Sequence, residues 1–310
     1  MRVLAGVLAT VAAMGIGVYL AAALDALAGR VVGRGRLAVG ETLALPARRG
    51  LGLLLRPRAR TERPDAEAWA LAPAALAGLA AVGLASIPLA PGLSVADVSS
   101  GIVLFGAAMA LVMVAVFLQG WAPNSVPPMI AGYRFVAQAL SYEMPLALVL
   151  IGAALPAESL SVGAIVESQA HLWNAIRQPL GMPLFLIAVA GLAFWGPLAL
   201  PEGEDLVGGT SAEVSGAARL TWKVARLMVL VAGAAMTAAV FLGGWHGPWL
   251  PGPAWSILKT LAVLALLVWA RHRLARVPIE RFVWVSWVVL IPLALLDVFL
   301  AGAQALWAAP

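Results

Sequence analysis

Eight apolar segments in this sequence are each long enough to cross a lipid bilayer as an α-helix. A bilayer core about 30 Å thick needs about 20 consecutive apolar residues in such a helix. Backbone groups in lipid must pair within the segment, so continuous runs of this length indicate helices rather than barrel strands. The segments lie at about residues 4–28, 69–91, 99–120, 136–156, 182–200, 224–244, 254–270 and 282–307. We therefore expect an all-α integral membrane protein with about eight transmembrane helices, in a single polytopic domain over residues 1–310.

The composition excludes several classes of protein. Of the 310 residues, 62% are hydrophobic and 11% are charged, whereas a soluble domain carries about 25% charged residues. A soluble enzyme and a disordered chain are both excluded. The absence of cysteine excludes disulfides, iron–sulfur clusters and thiolate metal sites in this chain. Because the three histidines lie far apart, a bis-histidine haem is not expected. We expect no metal, haem or flavin in this chain. Any redox centre then belongs to a partner or to a diffusible cofactor.

The distribution of basic residues predicts the orientation of the chain. Cytoplasmic loops of membrane proteins are rich in lysine and arginine. Seventeen of the 20 basic residues follow the first, third, fifth and seventh segments, nine of them between residues 30 and 63. We expect these loops to be cytoplasmic, at a bacterial-type inner membrane, with both termini on the outer face. The net charge of +5 is then a topology signal and indicates no nucleic-acid partner. Leucines mixed with arginines between residues 43 and 55 predict a short interfacial helix.

Glu143 is the ionisable residue that stands out inside a predicted span. Placing such a group in lipid costs roughly 2.5–3.5 kcal/mol, so it is a candidate functional residue. Pro145 has no N–H, which leaves the carbonyl of Ser141 without its helical partner. This pairing of a carboxyl group with a free carbonyl is suited to holding water or a proton, although a packing role is the alternative. Asp25 and Asp297, in the first and last spans, are weaker candidates.

A second polar region precedes the sixth span. The segment 201–209 is rich in glycine, and four carboxylates lie in or just after it, namely those of Glu202, Glu204, Asp205 and Glu213. It is either a solvated loop, or a proton entry site or interaction surface that faces the basic loop after the first span. Arg134 and Gln138 share one helical face, while Glu143, nine residues from Arg134, faces nearly the opposite way.

Four blocks of sequence together suggest a family. They are Gly-Trp-Ala-Pro-Asn-Ser at 120–125 with Ser-Tyr-Glu at 141–143, the acidic segment 201–216, Phe-Leu-Gly-Gly-Trp at 241–245, and Trp-Val-Val-Leu-Ile-Pro-Leu at 287–293. In combination they resemble the H subunit of NADH-quinone oxidoreductases, which is the subunit 1 family of respiratory complex I. The resemblance is good over about residues 120–300, and eight helices fit the family.

The resemblance implies a non-redox subunit at the junction of the membrane and peripheral arms of a proton-translocating NADH-quinone oxidoreductase. It would have no catalytic residue of its own, and would form much of a quinone chamber with other membrane and peripheral subunits, including an iron–sulfur subunit. It places Glu143, Glu202, Glu204, Asp205 and Glu213 on the path that couples quinone reduction to proton movement. It places the chamber or its interface near Arg30, Arg34, Arg134, Gln138 and Trp195.

The sequence departs from the family just before the acidic segment. The family has Glu, Arg and Asp where this chain has Leu192, Trp195 and Ala199. An indole at position 195 can stack on a quinone ring, but it cannot pair with a carboxylate. Two alternatives therefore remain open: the equivalent subunit of a group-4-type hydrogenase-like complex that uses no quinone, and a stand-alone ion transporter.

Overall fold

The computed structural model describes residues 2–34, 39–95 and 98–308, and regular secondary structure within them is helical. Arg36 lies outside these residues, and the side chain of Arg34 also lies outside the described part of the chain. The helices are α1 (Arg2–Arg34), α2 (Val39–Leu54), α3 (Ala66–Ala85), α4 (Gly101–Trp121), α5 (Val126–Ala154), α6 (Val162–Glu167), α7 (Asn174–Arg177), α8 (Gly181–Leu192), α9 (Gly216–Phe241), α10 (Gly252–Arg273) and α11 (Ile279–Trp307).

Seven of these helices are long and apolar enough to cross a membrane, and each matches one of the expected segments. The eighth segment, expected at 182–200, is α-helical only over α8, which ends at Leu192. Twelve residues span about 18 Å, less than a bilayer core. The helix stops because Phe194 and Gly196 have positive φ angles of 39° and 59°, and Pro197 disfavours helix in the residue before it. The expected helical end near residue 200 was therefore wrong, and a count of eight crossings stays a prediction.

The centre of the bundle is α9, which is the most deeply buried of the long helices described. It packs against α1, α3, α8 and α10. Small residues allow this close packing: a Cβ added at Gly233 would lie 2.6 Å from Val189 on α8. Large apolar side chains on the outer helices, such as Leu104, Trp284 and Phe299, are exposed, as expected of surfaces that face lipid.

A side-chain hydrogen bond joins α5 to α11, next to a proline in α5 and a π-helical turn in α11. Pro145 frees the carbonyl of Ser141, as the sequence predicts, and the hydroxyl of Ser286 donates a hydrogen bond to it. Ser286 begins the π-helical turn Ser286–Leu290 within α11. Both serines are buried. The free carbonyl is therefore used for helix pairing, and not by Glu143.

The short helix predicted between residues 43 and 55 is present as α2, which begins slightly earlier than expected, and its place at the membrane interface stays a prediction. It packs across α1 and α9. The hydroxyl of Tyr19 donates to the carbonyl of Leu43 at 2.7 Å, and Arg30 donates to Thr42 Oγ1 at 2.9 Å. Leu51 and Leu54 are exposed, so the helix keeps an apolar side that faces away from the bundle.

Candidate functional site

The acidic loop, residues 196–215, is a sequence of short 3₁₀ turns that pack against α5 and the end of α4 and lead into α9. Its tightest bend is at Val207, Gly208 and Gly209, which all have positive φ angles. The amide of Gly208 donates to the carbonyl of Gly203 at 3.0 Å. A Cβ at Gly209 would overlap the carbonyl oxygen of Pro201, so only glycine fits there. The loop is a compact, specific structure rather than an open solvated segment.

Glu202 ties this loop to the membrane bundle. Its carboxylate pairs with the guanidinium of Arg226 on α9 and accepts a hydrogen bond from Ser211 Oγ at 2.8 Å. The two side chains are only 17% and 9% exposed. Arg226 also donates to the carbonyls of Ala193, at 3.1 Å, and Phe194. One buried guanidinium therefore joins the acidic loop, the end of α8 and the centre of α9.

Asp205 makes a second connection, on the exposed side of the loop. Its carboxylate lies 2.8 Å from Arg134 Nη1 on α5, and its side chain is 60% exposed. One turn further along α5, Gln138 Nε2 donates to the carbonyl of Gly191 at 2.6 Å. Arg134 and Gln138 thus face the loop and α8 together, as their spacing predicts.

The two remaining carboxylates differ in exposure. Glu213 is partly buried and accepts a hydrogen bond from Ser125 Oγ at 2.9 Å. Glu204 is exposed, and its carboxylate has no hydrogen bond or ion pair within the residues that the structure describes. Among the carboxylates of the loop, that of Glu204 has no protein partner, and the other three are bonded to the protein, although that of Asp205 is also exposed to water.

Trp195 lies below the loop in a cluster of cations. Its ring is 3% exposed, and its Nε1 donates to the carbonyl of Leu267 at 3.1 Å. The guanidinium carbons of Arg271 and Arg226 lie 4.4 Å and 5.3 Å from the ring centroid. Such contacts are favourable cation–π interactions. In this conformation the indole fills space between arginines and presents no surface on which another ring can stack.

Asp25 completes this cluster from α1. Its carboxylate lies 3.3 Å from Arg271 Nη1 and 3.0 Å from His272 Nε2, both on α10. Arg30, one turn beyond it, pairs with Glu41 at 3.6 Å and so holds α2 rather than the acidic loop. Arg30, which was expected near the chamber, thus contacts α2 in this structure.

Glu143 lies apart from these groups, as its spacing from Arg134 predicts. It is partly buried, between the exposed Leu140 and Met144. No hydrogen bond or ion pair to the carboxyl group of Glu143 occurs within residues 2–34, 39–95 and 98–308. Its carboxyl group therefore lies at the outer side of the bundle.

Sequence reasoning missed Arg226, which it counted only among the cytoplasmic basic residues. The signal was available, because residue 226 lies inside the expected span 224–244. An arginine within an apolar span needs a partner. The partner, Glu202, is 24 residues earlier, on a loop whose fold the sequence does not specify.

The acidic loop also meets the basic loop after α1, but mainly through backbone groups. Ser215 Oγ accepts from the amide of Ala59 at 2.6 Å, and lies 3.3 Å from the carbonyl of Pro57. A separate apolar groove lies between α1, α9 and α10, lined by residues that include Ile16, Leu20, Val231, Ala235 and Leu264. Within the described residues, no three His, Asp or Glu side chains group as metal ligands.

Known proteins share this sequence over most of its length. The family model described as NADH dehydrogenase matches residues 5–302. The NADH-quinone oxidoreductase H subunit 1 of Rhodopseudomonas palustris (strain BisB5) is 38% identical over 239 residues, covering 77% of this chain and 75% of the relative. The H subunit of the same enzyme from Geobacillus kaustophilus (strain HTA426) is 34% identical over 262 residues, covering 83% and 79%. The H subunit from Syntrophotalea carbinolica is 31% identical over 299 residues, covering 90% and 89%.

Proposed function

Because the chain belongs to the H-subunit family of NADH-quinone oxidoreductases, we propose that it lines a quinone chamber and couples quinone reduction to proton movement. It is a membrane subunit of complex I and supports the enzyme without catalysing a reaction alone. The observation that carries the proposal is the ion pair between Glu202 and Arg226. It links a surface loop of carboxylates to the most buried helix of the membrane bundle.

The chamber is formed with partner subunits. A bound quinone accepts electrons from an iron–sulfur subunit and takes up protons as it is reduced. The groove between α1, α9 and α10 is almost entirely apolar and open to lipid, so it fits the apolar tail of such a molecule. Trp195 itself makes no contact with the quinone ring. It positions Arg226 and Arg271 at the chamber wall, where the family has a charged residue.

The carboxylates of the loop couple quinone reduction to proton movement. Glu204 is open to water, whereas Glu202 is held by Arg226 in surroundings with little water. Interactions between charges are strong in such surroundings, so a proton gained or lost at the loop changes the force on Arg226. Asp205 and Glu213 hold the loop on α5 and near Ser125 and restrict its movement to small shifts.

Glu143 continues the path toward a neighbouring membrane subunit. Its carboxyl group faces the outer side of the bundle, and the described chain supplies it with no partner. A carboxyl group in lipid is costly, so we infer that another subunit covers this face of α5. The path thus leaves this chain through Glu143 and enters the rest of the membrane arm.

Orientation follows from the basic loops. The acidic loop and the loop after α1 lie at one end of the bundle, where Ser215 contacts Pro57 and Ala59. We propose that this end faces the cytoplasm at the inner membrane, where peripheral subunits dock. The names of the relatives include quinone, which favours this proposal over a hydrogenase-like complex without quinone.

Deletion and complementation test this function. We expect membranes that lack the subunit to lose the quinone-reductase rate that quinone-site inhibitors block, and the wild-type chain to restore it. An unchanged rate, with the peripheral subunits still bound to the membrane, would contradict the proposal and indicate a different electron acceptor.

A further inference from the structure

Four basic residues, the basic cluster, converge where α2 meets the first turns of α9. They are Arg49, Arg58, Arg219 and Lys223. Arg219 and Lys223 lie four residues apart on α9 and are therefore neighbours on one face of that helix. Arg49, on α2, is near enough to repel the ammonium group of Lys223. The side chain of Arg58 reaches the start of α9, because its Cγ would lie 3.5 Å from a Cβ added at Gly216.

The described residues supply the basic cluster with no anionic partner of its own. None of the four side chains forms an ion pair within those residues, and Nε of Arg219 is buried there without a hydrogen-bond partner. The carboxylate that attracts Lys223 is that of Glu202, which is already paired with Arg226. Like charges four residues apart destabilise a helix, and the N-terminus of a helix also carries partial positive charge. An anion bound here would reduce this repulsion and satisfy the buried donor.

Exposed apolar side chains lie beside these charges. Leu51 and Leu54 of α2 are exposed, and so is Val224 of α9, directly after the lysine of the basic cluster. The two helices are in contact here, since a Cβ added at Gly50 would lie 3.7 Å from Leu220 Cδ1. Basic side chains next to exposed apolar ones are typical of a helix surface at the level of lipid head groups.

We propose that the basic cluster binds the phosphate of an anionic phospholipid, whose acyl chains lie along Leu51, Leu54 and Val224. A phosphate accepts paired, charge-assisted hydrogen bonds from guanidinium groups, which suits the three arginines of the basic cluster. Inorganic phosphate would neutralise the charge but leave the apolar side chains uncovered. Those exposed side chains likewise favour a lipid over an acidic segment of a peripheral subunit. The site uses none of the residues assigned to the coupling path, and it fixes α2 against α9.

A photoreactive lipid tests the site in the purified, assembled complex. Phosphatidylglycerol that carries a diazirine in one acyl chain is added to vesicles containing the complex, and the cross-linked peptides are identified by mass spectrometry. We expect it to label residues 48–55 and 220–227 about fivefold more than the same diazirine on phosphatidylcholine, which has no net charge. The double variant Arg219→Gln, Lys223→Gln should lose this preference. The control Arg273→Gln, Arg281→Gln, which also removes two charges, from exposed arginines, should retain it.

Arg49→Gln, on the other helix, tests the same site and does not depend on the first variant folding. It should also lower the preference for phosphatidylglycerol. Equal labelling by the two probes, or a preference that both variants retain, would overturn the proposal. Loss of labelling on addition of inorganic phosphate would overturn it by showing a site for free anions. Labelling that occurs only after the peripheral subunits are removed would overturn it by showing that one of them covers the basic cluster. The labelling needs no quinone turnover, so this proposal and the proposed function can fail separately.

Discussion

At the scale of single residues, the site depends on charges that are buried and paired. Removing one partner of a buried ion pair is expensive, at about 3–5 kcal/mol, because the other charge is left unpaired. Exposed pairs contribute about 0–1 kcal/mol. The pair of Arg226 with Glu202 belongs to the first class, and the pair of Arg134 with Asp205 is closer to the second. The first pair should therefore dominate the stability of the loop.

We predict that Arg226→Met destabilises the assembled complex by about 3–5 kcal/mol and abolishes quinone-reductase activity. Glu202 would remain partly buried without its cation, and two carbonyls would lose their donor. The measurement is the midpoint of thermal disassembly on native gels, together with the activity. Arg273→Met, which removes an exposed arginine, is the matched control and should change neither. Equal stability of both variants would show that the buried pair is unimportant.

Asp25→Asn should have a much smaller effect on stability, about 0–1 kcal/mol per lost pair, because its partners are partly exposed. Thermal disassembly of this variant beside Arg226→Met gives the comparison. A loss as large as that of Arg226→Met would mean that the cluster around Trp195, and not the loop pair, holds this end of the bundle.

The individual residues of the site were only partly predictable. Glu143 and the carboxylates of the loop stand out because charge is rare in this sequence. Arg226 was missed because counting cationic residues for topology does not distinguish buried ones from exposed ones. The surroundings of Trp195 were not predictable, since Arg226 and Arg271 come from helices distant in sequence.

At the scale of elements, a hydrogen bond that one helix lacks is replaced by a side chain of its neighbour. Pro145 in α5 leaves the carbonyl of Ser141 free, and Ser286 in α11 donates to it. A buried acceptor without a donor costs about 1–3 kcal/mol. The proline and the serine should therefore be energetically coupled.

A double-mutant cycle measures this coupling. Ser286→Ala should destabilise the wild-type complex by about 1–3 kcal/mol. In a Pro145→Ala background, the new N–H at 145 can bond Ser141, so Ser286→Ala should cost close to nothing. The readout is again thermal disassembly. Equal costs in both backgrounds would contradict the compensation.

The bend of the acidic loop leads to a second prediction about these elements. Gly209→Ala places a methyl group against the carbonyl of Pro201 and requires a positive φ that alanine disfavours. We expect the loop to shift, and quinone-reductase activity to fall at least tenfold while the complex still assembles. Gly78→Ala, in α3 with open space around it, should keep full activity. A fully active Gly209→Ala enzyme would show that the loop tolerates rearrangement.

Helix positions were predictable to within a few residues for most spans, because apolar length is read directly from the sequence. The end of α8 was not predictable in this way. Residues 193–200 are as apolar as a helix in lipid, yet they form turns because Gly196 and Pro197 interrupt the helix. Apolar composition predicts burial there, and only backbone geometry shows that the helix has ended.

At the scale of the whole molecule, the number of crossings decides where the C-terminus lies. The structure contains seven helices long enough to cross among its described residues, together with the shorter α8. If α8 and the turns after it complete a crossing, both termini lie outside. If they do not, the termini lie on opposite sides.

A C-terminal reporter distinguishes these topologies. We predict that alkaline phosphatase fused after Pro310 is active and that a green fluorescent protein at the same position is dark. Fusions within the loop after α1, near Arg60, should give the opposite pattern. A fluorescent C-terminal fusion would show an odd number of crossings and would place α8 as a helix that enters the membrane without crossing it.

The central claim is that this chain transmits a change at the quinone chamber to proton movement. The most direct measurement is the number of protons moved per NADH oxidised in vesicles that contain the assembled complex. We predict that Glu143→Gln lowers this ratio while the enzyme still reduces quinone, because the variant interrupts the path beyond the chamber. Glu280→Gln, which changes an exposed carboxylate of α11, should leave the ratio at the wild-type value. An unchanged ratio in Glu143→Gln would contradict the coupling path through this subunit.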